Sequence, residues 1–478
     1  MNKKPVLIFT IFFLGTYTFA QENVGEVKAQ DNRPNILFVF ADDWGRHAGA
    51  YDTKWLKTPN FDDVAKNGIL FTEAYTASAK CAPSRASVMT GRYPWQNREI
   101  GNHLAVWPSE GFQTYIEALN ENGYYVGFTG KSWGPGRFPA NRQLAGKSYP
   151  EYIKDTRKRQ YLSTFKDFIK DCPEGMPFHF WFGSRDPHRS YARQNHTDER
   201  LAQIDLPSYW KDTRERRADV GNYAFEVERF DSDFGEMIEH LKDVGLFDNT
   251  IIIVSSDNGM PFPRSKGDTY LPGSHLPMAA MWGTKTKNPG RICNQFITFV
   301  DIAPTILELA NVKEEDTQME MIQGRSFVDI LKDEEPKFDR SYVLYGRERY
   351  DVNIRPENKG YPSRSIRKGD YLYIHNFKPD RVPTTSKESD IPAAWEEGTK
   401  EWDTFYALRP ADELYNIKED VECLKNLALN LSNADKVKAL KEQLLTELLR
   451  HKDPRIIGGG DVFDLYPSSK NSSAKKPK

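Results

Sequence analysis

Four short, mostly apolar runs constrain the fold of this 478-residue chain more than any other feature. They lie far apart in the sequence, at 35–41, 124–129, 178–182 and 251–254. Runs of this length and composition predict β-strands that are covered on both faces, as in parallel sheets. Helical patterns occur at 60–67 and 226–241. We therefore predict an α/β fold in which helices flank a large mixed sheet.

Polar side chains follow each predicted strand at the point where it ends. The four segments are Asp42-Asp43, Gly130-Lys131-Ser132-Trp133, Arg185-Asp186-Pro187-His188 and Asp257-Asn258-Gly259. In open α/β sheets the functional site lies at the carboxyl ends of the strands. An isolated Asp-Asp or Asp-Asn-Gly is more often a solvated turn. Four segments that obey one rule predict a single site.

A change in composition after Leu331 divides the chain into two units. The larger unit, at 33–335, contains the four polar segments and is the predicted catalytic domain. The smaller unit, at 340–455, has short strand patterns and one helix, so we predict an α+β subdomain. Val437, Leu440, Leu444 and Leu448 fall on one face of that helix. Residues 456–478 end in a Ser/Lys-rich stretch and are predicted to be a flexible tail.

The first twenty residues have the pattern of a secretory signal peptide. A basic start precedes the apolar run Val6–Phe19, which is too short to span a membrane. We expect a periplasmic or secreted protein without a transmembrane anchor. Export permits disulfides, but the four cysteines are too widely spaced to form a recognisable framework. The net charge of −2 gives no indication of nucleic-acid binding.

The segment from Lys80 to Arg92 places a cysteine beside a predicted helix N-terminus. Pro83 suits a first helical turn and Gly91 suits a helix end. The free N–H groups of a helix N-terminus attract anions. The forked guanidinium of Arg85 fits a tetrahedral oxyanion. Cys81 is therefore expected to face an anion, although a lone cysteine is usually a buried packing residue.

Cys81-Ala82-Pro83-Ser84-Arg85, with the Ala-Ser-…-Thr-Gly-Arg run after it, resembles the signature of type I sulfatases. The resemblance implies an alkaline-phosphatase-like sulfatase fold. It also implies that Cys81 is oxidised to formylglycine by a formylglycine-generating enzyme before export. The aldehyde hydrate would then attack the sulfur of a sulfated carbohydrate, and sulfate elimination would restore the aldehyde.

Four oxygen donors on two strand ends suit a hard cation such as Ca2+ or Mg2+. They are Asp42, Asp43, Asp257 and Asn258. The sulfatase resemblance implies one Ca2+ at these positions, with the oxidised Cys81 completing the set of ligands. The metal would polarise the sulfate and lower the pKa of the aldehyde hydrate.

Four further side chains are candidates for binding the sulfate or for acid catalysis. By resemblance, Lys131 and Lys266 are sulfate-contacting cations and His188 is the general acid. Arg185, beside His188, is a candidate substrate-binding residue. Each of these residue types also has a structural alternative, a surface charge for the lysines and a packing role for the histidine.

Trp133 departs from the family pattern, which has histidine two residues after the first lysine. That histidine normally helps sulfate release, so the elimination base is unassigned here. Trp133 is expected either to stack on a sugar face or to pack in the core.

Ser256–Pro263, Tyr270–Gly273 and Glu413–Tyr415 resemble the heparan N-sulfatase branch of the family. Bacterial relatives of this branch also act on sulfated algal polysaccharides such as ulvan. We favour an O-sulfated polysaccharide or its oligosaccharides as the substrate, with N-sulfoglucosamine as the alternative. A phosphoryl hydrolase of the same superfamily would need several zinc-binding histidines. The chain has nine histidines, and His188 alone follows a recognised strand. A non-catalytic sugar-binding protein is a further alternative.

Overall fold

The computed structural model describes Met1 and residues 31–150, 152–155, 158–350, 359–383 and 400–470. The predicted signal peptide therefore lies outside the described residues, apart from Met1. The strands are β1 Asn35–Ala41, β2 Ile69–Phe71, β3 Ala74–Tyr75, β4 Ala105–Val106, β5 Tyr125–Gly130, β6 Gly136–Arg137, β7 Lys147–Ser148, β8 Tyr152–Asp155, β9 Lys158–Gln160, β10 Phe178–Gly183, β11 Thr250–Ser256, β12 Met278–Trp282, β13 Arg291–Cys293, β14 Ile297–Thr298, β15 Tyr342–Arg347, β16 Ser363–Lys368, β17 Tyr371–Asn376 and β18 Asp412–Asn416. The α-helices are α1 Pro59–Asn67, α2 Cys81–Thr90, α3 Tyr115–Glu121, α4 Tyr161–Asp171, α5 Asp198–Ala202, α6 Arg214–Asp243, α7 Leu271–Ser274, α8 Ile302–Leu309, α9 Val328–Lys332, α10 Lys400–Tyr406, α11 Ala434–Arg450, α12 Pro454–Ile457 and α13 Val462–Leu465.

The main sheet has eight strands in the order β13-β2-β12-β11-β1-β10-β5-β7. The four strands predicted from the apolar runs are β11, β1, β10 and β5, and they are consecutive neighbours that run parallel to one another. β12 is antiparallel to both β11 and β2, so the sheet is mixed. The predicted α/β class is confirmed. The four polar segments follow the carboxyl ends of these parallel strands and therefore lie on the same side of the sheet.

Both faces of the main sheet are covered by helices, which explains why β1 is apolar throughout. Ile36, Phe38 and Phe40 face a core that includes α2, α3 and α8. Leu37 and Val39 face the opposite core, with α1, α4 and α6. Successive side chains of a strand point to opposite faces, so a strand between two helical layers needs apolar residues at every position.

The C-terminal unit is a four-stranded antiparallel sheet in the order β15-β16-β17-β18. Leu440, Leu444 and Leu448 of α11 are buried in one core with residues of this sheet, including Leu344 and Ile366. The predicted amphipathic helix therefore packs its apolar face on the sheet, as expected for a smaller α+β unit.

The segment after residue 455 differs from the predicted flexible tail. It continues α12 and forms α13, and Phe463 of α13 is buried in the core of the C-terminal unit. Ile456, Val462 and Tyr466 pack against the same core, and the Ser/Lys composition reflects only the last residues. Residues 471–478 lie outside the described residues.

Two expectations about the chain as a whole concern disulfides and membranes. All four cysteines lie in described segments, and none of them is paired. Within the described ranges, none of the helices combines the length and the apolar character that a membrane crossing requires.

Candidate active site

The parallel pairing of β1 and β11 brings three aspartates together. Ala41 pairs with Ser256 at the ends of the two strands, and the Asp257 N–H donates to the Ala41 carbonyl at 3.2 Å. The Asp43 N–H then donates to Asp257 Oδ1 at 3.1 Å. Asp43 has a left-handed backbone with φ of 80°, so the chain turns sharply after Asp42. Both predicted carboxylate segments thus meet at one point.

Cys81 lies beside these carboxylates at the first residue of α2. Its Sγ is 3.5 Å from Asp42 Oδ1 and 3.9 Å from Asp43 Oδ1. The helix begins at Cys81 itself, one step earlier than the sequence suggested, because Lys80 is the extended N-cap residue. Gly91 ends the helix in a left-handed conformation, as predicted. Burial raises the pKa of the Cys81 thiol to about 12, so an unmodified cysteine would be a neutral thiol and a poor nucleophile.

Arg85 is fully buried and ties α2 to the ends of three strands. Its Nε donates to Asp257 Oδ2 at 2.8 Å. Its terminal nitrogens donate to the carbonyls of Ala41, Lys131 and Ser132 at 3.2, 2.8 and 3.0 Å. Five donors on a rigid fork can serve one carboxylate and several carbonyls together. Arg85 therefore sets where Cys81 lies relative to Asp257, and its donors are used within the protein.

Two lysines are ion-paired to the carboxylates. Lys131 Nζ lies 2.7 Å from both Asp42 carboxylate oxygens, and Lys266 Nζ lies 2.7 Å from Asp43 Oδ2. Lys131 follows β5, where β10 approaches closely. A Cβ on Gly183 would lie 1.7 Å from the Lys131 carbonyl oxygen, so glycine is required there. Both predicted lysines are therefore brought to the site.

The charges around the aspartates control their pKa values. Burial alone would raise the pKa of Asp42, but Lys131, His188, Arg85 and Lys266 together hold that pKa well below its ordinary value. Burial would also raise the pKa of Asp43, but the nearby cations, Lys266 first among them, lower it below its ordinary value. For Asp257, burial outweighs Arg85 and the pKa is raised. Asp42 and Asp43 are thus available as anionic ligands at neutral pH.

His188 reaches the site from the loop after β10. Its Nδ1 lies 2.5 Å from the Arg189 carbonyl oxygen, so Nδ1 donates to it. The other ring nitrogen, Nε2, lies 3.8 Å from Asp43 Oδ2. The side chain is partly exposed, which leaves room for a substrate. The Nε2 of His188 is thus turned toward Asp43.

Ion pairs to α6 fix the loop that carries His188, and the sequence analysis did not find them. Asp186 receives two hydrogen bonds from Arg229, at 2.7 and 2.8 Å. Arg189 donates two to Asp219, at 2.9 and 2.5 Å. These partners lie 30 to 43 residues apart and had no signal in the sequence beyond an abundance of charge on α6.

The two predicted substrate-binding residues differ in position. Trp133 is 5 % exposed, its Nε1 donates to the Ala82 carbonyl at 3.0 Å, and its ring meets Trp107 edge-on. Stacking of Trp133 on a sugar face is therefore wrong, because the indole packs in the core under α2. Arg185 is exposed in the same loop as His188, so its predicted role in binding stays a prediction.

The residues present fit a hard divalent cation. Asp42, Asp43, Cys81 and Asp257 each offer a ligand atom, and these atoms lie within 4.8 Å of one another. Asn258 Oδ1 is buried near them without a hydrogen-bond partner, while its Nδ2 donates to Asp43 Oδ1 at 2.8 Å. A buried oxygen without a hydrogen-bond partner, beside three carboxylates, indicates that this position can bind a cation. The oxygens of Asp42, Asp43, Asp257 and Asn258 form a donor set that suits Ca2+ or Mg2+.

Comparison with known proteins adds family information to this geometry. The family model described as Sulfatase matches residues 34–312. The model described as N-sulphoglucosamine sulphohydrolase, C-terminal, matches residues 266–383. An ulvan-active sulfatase from Formosa agariphila is 30% identical over 427 residues, with 88% of this chain and 80% of that protein covered.

Two more distant relatives cover nearly the whole chain. Human N-sulphoglucosamine sulphohydrolase is 25% identical over 481 residues, and the match covers 90% of this chain and 93% of that protein. A solved protein in complex with its substrate D-glucosamine-2-N,6-O-disulfate is 18% identical with a TM-score of 0.63, covering 88% of this chain and 98% of that one. At 18% identity, the similarity to this solved structure shows a shared fold.

Proposed function

The chain belongs to the sulfatase family, and on that premise we propose that it is an exported enzyme that removes sulfate esters from a sulfated polysaccharide or its oligosaccharides. The fold is the alkaline-phosphatase-like sulfatase fold that the sequence resemblance implied. The class of enzyme is a sulfuric ester hydrolase. Export, the mechanism and the substrate are parts of the proposal.

The observation that supports this function best is the arrangement around Cys81. A helix N-terminus, Lys131 and Lys266 surround one buried position at which three carboxylates also converge. Positive groups fixed around a nucleophile stabilise the charge that develops on a transferring anion. A sulfate group placed against Cys81 would therefore meet two ammonium groups.

We propose that Cys81 acts as formylglycine, whose hydrate supplies an oxygen nucleophile that a thiol lacks. The protein residues position that nucleophile. Arg85 holds the first turn of α2 against Asp257, and the extended Lys80 fixes the approach of the chain to residue 81. The raised pKa of the unmodified thiol supports the need for modification.

Asp42, Asp43, Asp257 and the orphaned Asn258 oxygen would hold the metal, with Ca2+ as the proposed ion. When bound, the ion supplies a positive charge that polarises sulfate oxygens and lowers the pKa of the hydrate. Lys131 and Lys266 now neutralise Asp42 and Asp43. With the carboxylates satisfied by a cation, these two ammonium groups would be available to contact sulfate.

His188 is the proposed general acid. Its Nδ1 proton is committed to the Arg189 carbonyl, so the proton that can reach the leaving oxygen is the one on Nε2. The ion pairs of Asp186 and Arg189 with α6 hold this loop in place.

Removal of calcium is expected to lower both activity and stability. An EGTA-treated enzyme should lose sulfate release, because three carboxylates would again bind only lysine and arginine. Calcium at about 100 times its dissociation constant should stabilise the fold by about 2.7 kcal/mol. Thermal melting with and without calcium measures this effect, and a zinc-selective chelator is the control. An unchanged melting temperature and activity in verified metal-free protein would contradict the assignment.

The substitution His188→Ala should affect substrates according to their leaving groups. Sulfate release from a sugar ester should fall about 100- to 10,000-fold, since general acid catalysis contributes this much. An activated aryl sulfate, whose leaving group needs no proton, should lose far less. His196→Ala is the matched control, because His196 is a half-buried histidine bonded to Asn222. Equal losses on both substrates would remove His188 from the acid role.

We propose an O-sulfated algal polysaccharide of the ulvan type as the substrate, and N-sulfoglucosamine as the alternative. Support comes from the relative named an ulvan-active sulfatase, at 30% identity, against 25% for the human enzyme. The test is sulfate release by protein whose Cys81 peptide carries the aldehyde. The panel contains ulvan oligosaccharides, sulfated galactans, and N- and O-sulfated heparan fragments. Release from N-sulfoglucosamine alone would replace the proposed substrate. Release of phosphate from an added phosphate ester, with no sulfate released from the panel, would overturn the function.

A further inference from the structure

Lys266 lies on a loop that the C-terminal unit holds from both sides. The loop runs from Met260 to Tyr270, between Asn258 and α7. Within it, the Lys266 N–H donates to the Met260 carbonyl at 3.1 Å, and the Gly267 N–H donates to the Ala79 carbonyl at 2.7 Å. The loop therefore touches the segment just before Cys81. Two arginines connect the loop to the C-terminal unit.

Arg264, two residues before Lys266, reaches into the C-terminal unit. It is 4 % exposed, and its guanidinium donates to the carbonyls of Thr404, Glu422 and Cys423. The guanidinium also lies 3.8 Å from the ring centroid of Tyr270. The backbone of Arg264 is left-handed, with φ of 63°, which a residue with a side chain adopts only when its surroundings require it.

The aromatic ring beneath Arg264 is itself fixed by the C-terminal sheet. The Tyr270 hydroxyl donates to Glu413 Oε2 at 2.9 Å. Tyr415 donates to the same oxygen at 2.6 Å, and Asn376 Nδ2 donates to Glu413 Oε1 at 2.7 Å. Arg264 and Tyr270 thus form one stack that is anchored on β17 and β18.

Arg347, at the end of β15, holds the other side of Lys266. It is 2 % exposed. One terminal nitrogen donates to the Gly267 carbonyl at 2.7 Å and to Asp268 Oδ1 at 2.6 Å. Its other nitrogens donate to the carbonyls of Tyr361 and Pro383, at 3.0 and 2.5 Å. Lys266 is therefore flanked by two contacts. Arg264 extends from the loop into the C-terminal unit, and Arg347 extends from the C-terminal unit to the loop.

We propose that Arg264 and Arg347 are positioning residues that hold Lys266 at the sulfate-binding side of the site. The proposal rests on the proposed function, in which Lys266 contacts the sulfate group. A lysine stem has four rotatable bonds, so an ammonium group reaches one place reproducibly only when its backbone is fixed. The catalytic sheet supplies Lys131 from a strand end, whereas the C-terminal unit supplies the rigidity that Lys266 needs.

The first test compares Arg264→Met in two backgrounds, with an activated aryl sulfate as the probe. In the wild-type background kcat/KM should fall about 10- to 100-fold, since a misplacement near 1 Å has effects of this size. In the Lys266→Ala background the same change should cost less than about twofold, because residues that act through one another are not additive. Equal losses in both backgrounds would overturn the proposal.

Two matched variants separate positioning from general damage. Arg264→Lys keeps the charge but loses the fork, so it should show an intermediate loss. Arg340→Met removes another buried arginine, which is ion-paired to Asp301 at 2.9 Å and donates to the carbonyls of Arg325 and Ser326 away from the loop. Its effect on kcat/KM should be the same with and without Lys266.

A second test does not require turnover. Acylation of lysine amines by a succinimidyl ester is followed by peptide mass spectrometry in the folded protein. Lys131 and Lys266 have side chains 13% and 12% exposed, and each is ion-paired to an aspartate, so Lys131 is the internal reference. In Arg264→Met and Arg347→Met the acylation rate of Lys266 should rise at least about fivefold, with Lys131 within about twofold of wild type.

The outcomes distinguish the two levels of inference. If the wild-type enzyme releases no sulfate from any probe, the proposed function fails, and the labelling rates still decide the positioning claim. If sulfate is released but Lys266 labelling is unchanged, or rises together with that of Lys131, the positioning claim is wrong and the function stands.

Discussion

Replacing Cys81 with alanine should abolish sulfate release and leave the fold intact. The loss expected for removal of a nucleophile is on the order of 10⁴-fold or more. The structural cost is small because the only hydrogen bonds that the Cys81 Sγ makes among the described residues are two long ones, to Asp42 and Asp43. Circular dichroism and thermal melting should therefore match the wild type, while the sulfate assay shows no turnover.

Cys293→Ala is the matched control for this experiment. Cys293 is a buried, unpaired cysteine on β13 at the far edge of the main sheet. Its replacement should change activity little. An aldehyde-specific probe should label wild-type protein and the Cys293 variant but not the Cys81 variant. Sulfate release by Cys81→Ala would disprove the formylglycine mechanism.

Replacing Arg364 with methionine should destabilise the protein by about 3–5 kcal/mol, which is the usual effect of leaving buried charges without a partner. Arg364 and its two partners, Glu348 and Asp453, are completely buried. Their ion pairs are 2.6 and 2.7 Å long. Arg455 would still pair with Glu348 at 2.8 Å, but Asp453 would keep only hydrogen bonds. The midpoint of denaturant unfolding measures the loss.

Lys242→Met is the control, since it also removes one cation of an ion pair. Lys242 and Glu239 are both exposed on α6, and such pairs contribute about 0–1 kcal/mol. A loss for Arg364→Met that is no larger than the loss for Lys242→Met would show that the buried network adds nothing to stability. A variant that fails to fold at all would agree with the larger estimate.

The sequence predicted the central sheet well because β1, β10 and β11 are short, rich in β-branched or aromatic residues, and apolar on both faces. It did not predict the short strands β2, β12 and β13, whose few residues carry no distinctive periodicity. The docking of α13 was also missed, because Phe463 and the few apolar residues near it lie in a segment that is otherwise mostly polar.

The candidate site was predictable where its residues directly follow strands, as Asp42, Lys131 and Asp257 do. Trp133 was ambiguous because residue type alone does not say whether an indole is exposed or packed. The contacts of Arg264 and Arg347 left no signal at all. Apart from contacts such as those with Asp268 and the ring of Tyr270, they end on backbone carbonyls, which every residue has, so few side chains mark them.

The position of β1 in the middle of the parallel strands also determines when the site can form during synthesis. Asn35 bonds Phe178 across 143 residues, and Asp43 bonds Asp257 across 214 residues. Contacts at such sequence separation close late and slow the folding of a chain. At a synthesis rate of about 5–20 residues per second, the chain waits at least about ten seconds between Asp43 and Asp257. Amino-terminal fragments that end before β11 should therefore leave Cys81 outside any assembled site.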